Sequence, residues 1–111
     1  MIALMLWENI KSKARESEFE INTVPQNART PLWFLVGIQG NYLIVRKAIL
    51  NRPSVNLSME RKISYKDFET VFSFYQRWLN GEPGISHEVA QKSKNSAYIF
   101  ALIAEGNKIS V

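Results

Sequence analysis

Few residues of this chain carry chemistry, and the densest group of them is basic. Lys92, Lys94 and Asn95 fall in a short polar break between two helical stretches, Ser96 opens the second stretch, and Arg77 lies on an earlier helix. Cations and amides in such a turn reach phosphate oxygens, and the order helix, break, helix has the outline of a helix-turn-helix. The second helix argues the other way. Its residues 97–104, AYIFALIA, are apolar on every side, whereas a helix that reads base edges must present polar side chains. Catalytic material is thinner still. His87 is the sole histidine and Asp67 the sole aspartate, and each suits the first turn of a helix. Glu88 beside His87 points about 100° away from it. Glu16, Glu18 and Glu20 alternate as the wet face of an edge strand does; three carboxylates there discourage pairing with other molecules and are a lesser candidate for a divalent cation. Cysteine is absent, which excludes a thiol nucleophile, disulfides and thiolate-bound zinc.

Glu60-Arg61-Lys62, at the end of an expected strand, is similar to the acid-x-lysine pair of metal-dependent nucleases of the restriction-enzyme type, and the similarity implies magnesium-assisted cleavage by Glu60 and Lys62. Those folds add an acid from the preceding hairpin to share the metal, and here that hairpin is Gln39-Gly40-Asn41. No P-loop, dinucleotide fingerprint or nucleophile elbow is present, and no cofactor is expected.

The chain must position these residues with 111 residues, of which 46% are hydrophobic. That is enough for one domain, residues 1–111, with a single core. The net charge of +4 permits a polyanionic partner without requiring one. The apolar start MIALMLW is about a third of a membrane span and runs into ENIKSKARES, so neither a signal peptide nor a membrane helix is expected. The expected setting is the cytoplasm, with no membrane contact.

The strongest local signal is Ile63 to Gly81. Ser64 suits an N-cap, Asp67 the capping-box position, and Ile63 with Phe68 a hydrophobic staple. Phe68, Val71, Phe72, Tyr75, Trp78 and Leu79 recur at three-and-four spacing along one side of a helix that Asn80 and Gly81 end. Ile2 to about Glu16 is a helix whose first two turns are apolar nearly all round, so Ile2, Leu4, Met5, Leu6 and Trp7 either sink into the core or meet another subunit. Strands are expected at Glu18–Val24, Leu32–Ile38, Tyr42–Ala48 and Ser54–Ile63, the middle two joined as a hairpin by Gln39-Gly40-Asn41, with Gly and Asn able to take positive φ. Residues 25–31 read as a loop, a short helix runs from Ser86 to Ser93, and a last helix from Ser96 stops at Gly106 with KISV beyond. This order predicts an α+β fold: a four-stranded antiparallel sheet with an N-terminal helix and two to three C-terminal helices packed on one face.

The helix ISYKDFETVFSFYQRW followed by KNSAYIFALI resembles parts of small uncharacterised bacterial proteins carried on mobile integron gene cassettes. The resemblance covers residues 63–103 and implies a bacterial accessory protein of the cytoplasm, with no catalytic motif to carry over. From the residues themselves, the first expectation is a noncatalytic binding or interaction module. It acts as a homo-oligomer through Ile2, Leu4, Met5, Leu6 and Trp7 and takes a protein or a small apolar ligand. Trp7, Trp33, Phe34, Tyr42, Phe74, Tyr75 and Trp78 are numerous enough to line an apolar pocket. Nucleic-acid binding by Arg77, Lys92, Lys94 and Asn95 is the alternative, and the nuclease is the second alternative.

Overall fold

The computed structural model describes residues 2–25 and 29–109. In chain order they form α1 (Ala3–Glu16), β1 (Phe19–Asn22), β2 (Trp33–Gln39), β3 (Tyr42–Lys47), β4 (Arg61–Ile63), α2 (Tyr65–Phe72), α3 (Tyr75–Leu79), α4 (Ile85–Lys92) and α5 (Ser96–Ile109). The strands pair in sequence order, each antiparallel to the next, so the expected α+β architecture is present. Residues 26–28 of the expected loop, Met1, and the last two residues of KISV lie outside the described residues. No helix among the described residues is long and apolar enough to cross a membrane.

Period-two alternation sends Ile21, Phe34, Val36, Leu43, Val45 and Ile63 to one face of the sheet, and these join the helices in the core. From α1 come Leu6, Trp7, Ile10 and Ala14, at the spacing of a buried stripe. Trp7 packs on Phe68 of α2 with ring centroids 5.2 Å apart. Lys13 ties three elements together, with its Nζ 3.1 Å from Glu105 of α5 and 4.4 Å above the Phe19 ring of β1. Helix α5 lies among α1, α2 and β1, with every residue from Ile99 to Ile103 buried.

Four departures from the sequence reading have physical causes. In the hairpin only Gly40 takes positive φ, at 60°, the pattern of a type II′ turn with glycine first; Asn41 does not. The segment from Ser54 to Ile63 is not one strand. Trp33 donates to the carbonyl of Pro53 and accepts from the amide of Val55, a short parallel bridge beside β2. From Phe34 onward that side of β2 belongs to β3, so the chain steps outward before Arg61 pairs with Val45. Met59 lies on that step and is 78% exposed.

The third departure is the helix Ser64 to Gly81, which divides into α2 and α3. The Ser64 hydroxyl caps it as expected, accepting from the Asp67 amide at 3.1 Å. At the break the Ser73 hydroxyl donates to the Thr70 carbonyl and the Phe74 amide to Val71, three residues back, which tightens the turn and redirects the axis. Leu79, placed in the buried stripe by spacing, is half exposed in consequence. The division gives four C-terminal helices where two to three were expected. The fourth departure is Gly106, which does not end the last helix. It lies inside α5, where a Cβ would stand 2.8 Å from Leu6 Cδ1 and 3.2 Å from Ile10 Cδ1. Glycine serves there as the crossing point of α1 and α5.

Among the described residues the other face of the sheet carries no helix and is covered by charged arms. Arg46 bridges Glu18 and Glu60 at 2.9 and 3.2 Å, and the Glu18 carboxylate lies where a Cβ on Gly37 would be. Leu35 and Ile44 on this face are 8% and 1% exposed, so the arms keep water off them. Glu20 accepts from the successive amides of Ile49, Leu50 and Asn51 at 2.6 to 3.0 Å, and from the Asn51 side chain. The loop after β3 is thereby fastened across the sheet to β1. Glu16 ends α1, so Glu16, Glu18 and Glu20 do not line one strand face.

Two outcomes follow. Gly106→Val should destabilise the fold by about 1–3 kcal/mol through overpacking, and in a Leu6→Ala background it should cost less because the clash is gone; urea unfolding of the four proteins measures both. Desolvation raises the Glu20 carboxyl, and the amides of Leu50, Ile49 and Asn51 with the Asn51 side chain outweigh it, bringing it from 4.5 to about 2. A carboxyl held below its unfolded value contributes stability above pH 4.5 that is lost as pH falls from 4.5 through about 2. The urea midpoints of wild type and Glu20→Gln should therefore differ at neutral pH and converge as the pH approaches 2.

Candidate functional site

A stacked pair of rings lines a recess at the end of the β1–β2 pair. Trp78 of α3 and Phe100 of α5 lie 4.4 Å apart at 10°, with Tyr75 beside them at 5.6 and 6.2 Å. The chain places Trp78 in the last turn of α3, which ends at Leu79. Gly81, at φ 69°, donates to the Trp78 carbonyl and Glu82 to that of Arg77, the two bonds of a Schellman motif. A second turn at Gly84, φ 77°, then opens α4. The Asn80-Gly81 stop was therefore legible in the sequence, and it serves to hold an aromatic side chain.

Over these rings is a cleft of about 460 Å³, walled by Thr23, Val24 and Leu32 at the end of the β1–β2 pair and by Ser96 and Ala97 in the first turn of α5. Pro25, Arg29, Thr30 and Ser86 complete its described lining. A second recess of about 410 Å³ shares Trp78 and Ser86 and reaches Ile85, Glu82 and His87. The His87 ring is exposed, with Nε2 3.1 Å from the Gln91 amide nitrogen. Among the described residues lining the first cleft there are apolar walls, hydroxyls and one guanidinium. Such a lining is of the kind that suits a small ligand.

The basic turn is built differently from the expectation. Asn95 is 4% exposed and acts as a pin: its side-chain amide donates to Asp67 of α2 at 3.0 Å, and its oxygen accepts from Arg61 of β4 at 3.2 Å. Its own amide is satisfied by the Ser93 hydroxyl. Asp67 thus accepts from Asn95, and Asn95 is not open to a phosphate. Arg77 is engaged by Glu82 and by Glu88, the latter at 3.0 Å. Hydrogen bonding to Glu82, with the charges of Glu82 and Glu88, outweighs desolvation and raises the Arg77 guanidinium above its ordinary range. Lys92 and Lys94 are exposed, and they are what the turn offers to a polyanion.

The other candidates are dispersed. Glu60 accepts from Arg46, Lys62 lies 5.9 Å above the Tyr42 ring, and no group of three His, Asp or Glu able to hold a metal ion occurs among the described residues. In α1, Leu6 and Trp7 are buried in the chain's own core at 0% and 2% exposure, so they cannot meet another subunit. Ile2, Leu4 and Met5 stand out at 62%, 49% and 55%. The cleft itself gave no sequence signal, because its lining comes from the β1–β2 ends, α3, α4 and α5. Only the supply of aromatic residues hinted at it.

If Asn95 is a pin, Asn95→Ala should lower stability by about 1–3 kcal/mol through the partners it leaves unmade, whereas Lys92→Glu with Lys94→Glu should hardly move the urea midpoint. No family model, curated protein or solved structure matches the chain.

Proposed function

We propose that the protein is a small noncatalytic binding module that works as a homo-oligomer. The observation that carries this reading is the cleft of about 460 Å³ over the Trp78–Phe100 pair, a volume and an apolar lining suited to a small ligand. The oligomer rests on Ile2, the residue before α1, and on Leu4 and Met5 in its first turn, all of which remain exposed. Their burial against a second copy would remove from water apolar surface that the chain itself leaves uncovered. An accessory role in a bacterial cytoplasm, as the similarity of residues 63–103 to integron cassette proteins implies, accords with a module of this size.

Light scattering at micromolar concentration should give a mass above that of one chain, and Leu4→Glu with Met5→Glu should reduce it to one chain without changing the circular dichroism. A strict monomer in the unsubstituted protein removes the oligomer from the reading. For the cleft, titration with indole should move the NMR signals of the Trp78 indole N–H and the Ala97 amide. Signals that stay still under saturating indole remove the cleft.

A further inference from the structure

We propose that the surface around the Arg61–Asn95–Asp67 pin docks the phosphate backbone of duplex nucleic acid. The first ground is what the pin brings together. Arg61 of β4 donates to the Lys94 carbonyl and to the Asn95 side chain, both at 3.2 Å, and Asn95 donates to Asp67 of α2 at 3.0 Å. Each member of the pin has a lysine as its chain neighbour: Lys62 follows Arg61, Lys66 precedes Asp67 and Lys94 precedes Asn95, with Lys92 two residues further back. Segments remote in sequence thus carry four lysines to one region of the surface. Lys62 projects to the opposite face of the sheet from Arg61, but β4 is an edge strand, and no other strand separates Lys62 from the rest. All four lysines are exposed, and among the described residues none of them enters an ion pair.

The second ground is charge. Residues 61–72 and 92–96 hold five cations and two acids, Asp67 and Glu69, so three of the chain's four net positive charges lie on these segments. The neighbouring acids are engaged: Glu60 accepts from Arg46, Glu88 from Arg77 and Glu69 from the Tyr65 hydroxyl. Lysines in this state attract phosphates and displace the counterions condensed on them. The third ground is what the surface lacks for reading bases. Helix α5 is buried from Ile99 to Ile103 and offers no polar face to base edges. A single strand asks for free aromatic faces on which its bases stack, and Tyr42 already has the Lys62 ammonium 5.9 Å above its ring. A duplex keeps its bases stacked and presents phosphates alone, which is the partner that four point charges fit.

None of these lysines lines the cleft, so this inference and the cleft stand or fall separately. The test is fluorescence anisotropy of a labelled DNA duplex of about two helical turns, titrated with the full chain across a salt series. With four phosphates neutralised, affinity should fall about a hundredfold between about 50 and 200 mM salt, a log–log slope of about −3.6. Lys66→Gln with Lys94→Gln should halve that slope to about −1.8 and leave the circular dichroism unchanged. Arg15→Gln with Lys108→Gln removes the same charge from exposed positions in the last turns of α1 and α5, and should leave slope and affinity nearly as they were. A single strand of the same length and polyglutamate should both bind more weakly than the duplex. The inference is overturned if binding is absent at about 50 mM salt or insensitive to salt, or if the Arg15 and Lys108 variant loses as much as the Lys66 and Lys94 variant. Binding of the single strand or of polyglutamate as tight as that of the duplex overturns it equally.

Discussion

A helix that is apolar on every side is stable in water only if every side is covered. Helix α5 imposes that condition on the whole chain. From Ile99 to Ile103 each residue is buried, and the cover is drawn from both ends of the sequence: α1 crosses it at Gly106, α2 and α3 bring Phe68, Val71 and Trp78, and the inner face of the sheet meets it at β1. Wrapping one helix with helices from before and after the sheet forces all of them onto one face. The antiparallel order of the strands follows easily, since a meander leaves both connections to the helices on that side. The absence of a Cβ at Gly106 lets α1 approach closely enough for Leu6 and Ile10 to close the core.

Among the described residues no helix covers the sheet's second face. It is kept dry at Leu35 and Ile44 by long charged side chains, with Arg46 between two glutamates and Glu20 holding the loop that follows β3. Exposed ion pairs contribute little energy singly. Their effect here is spatial: they fix side chains over apolar atoms, and they orient a loop whose amide groups would otherwise need water. Two of the three acids that the sequence set out as an alternating wet face, Glu18 and Glu20, are employed in this way. The same holds for Asn95 and Asp67, which join the start of α5 to α2 and, through Arg61, to β4.

Where the cover of α5 thins, the cleft begins. Its first turn, Ser96 and Ala97, faces the ends of β1 and β2 across an opening with Trp78 and Phe100 below. Burying one helix completely and leaving a recess at its end are consequences of the same packing, because α3 is short and the Schellman turn at Gly81 takes the chain away toward α4. The proposed binding role uses this recess, and the proposed oligomer uses the corresponding shortfall at the first turn of α1.

The residues by themselves determined the fold class, the hairpin at Gly40, the Ser64 cap, the Gly81 stop and the apolar character of residues 97–104, because each depends on local periodicity or on the backbone preference of one residue; of that stretch the structure buries 99–103 and leaves Ala97 exposed. They could not say that Ser73 would break the helix, that Gly106 would be a crossing point rather than an end, or that Ser54 to Ile63 would sidestep a strand already in place. They also could not show that Asn95 and Arg77 would be spent on partners, nor that Trp78 and Phe100 would stack at the base of a cleft. Those outcomes depend on which segments meet across long stretches of chain, and a side chain's partners are fixed only when tertiary packing brings them within hydrogen-bond or van der Waals reach.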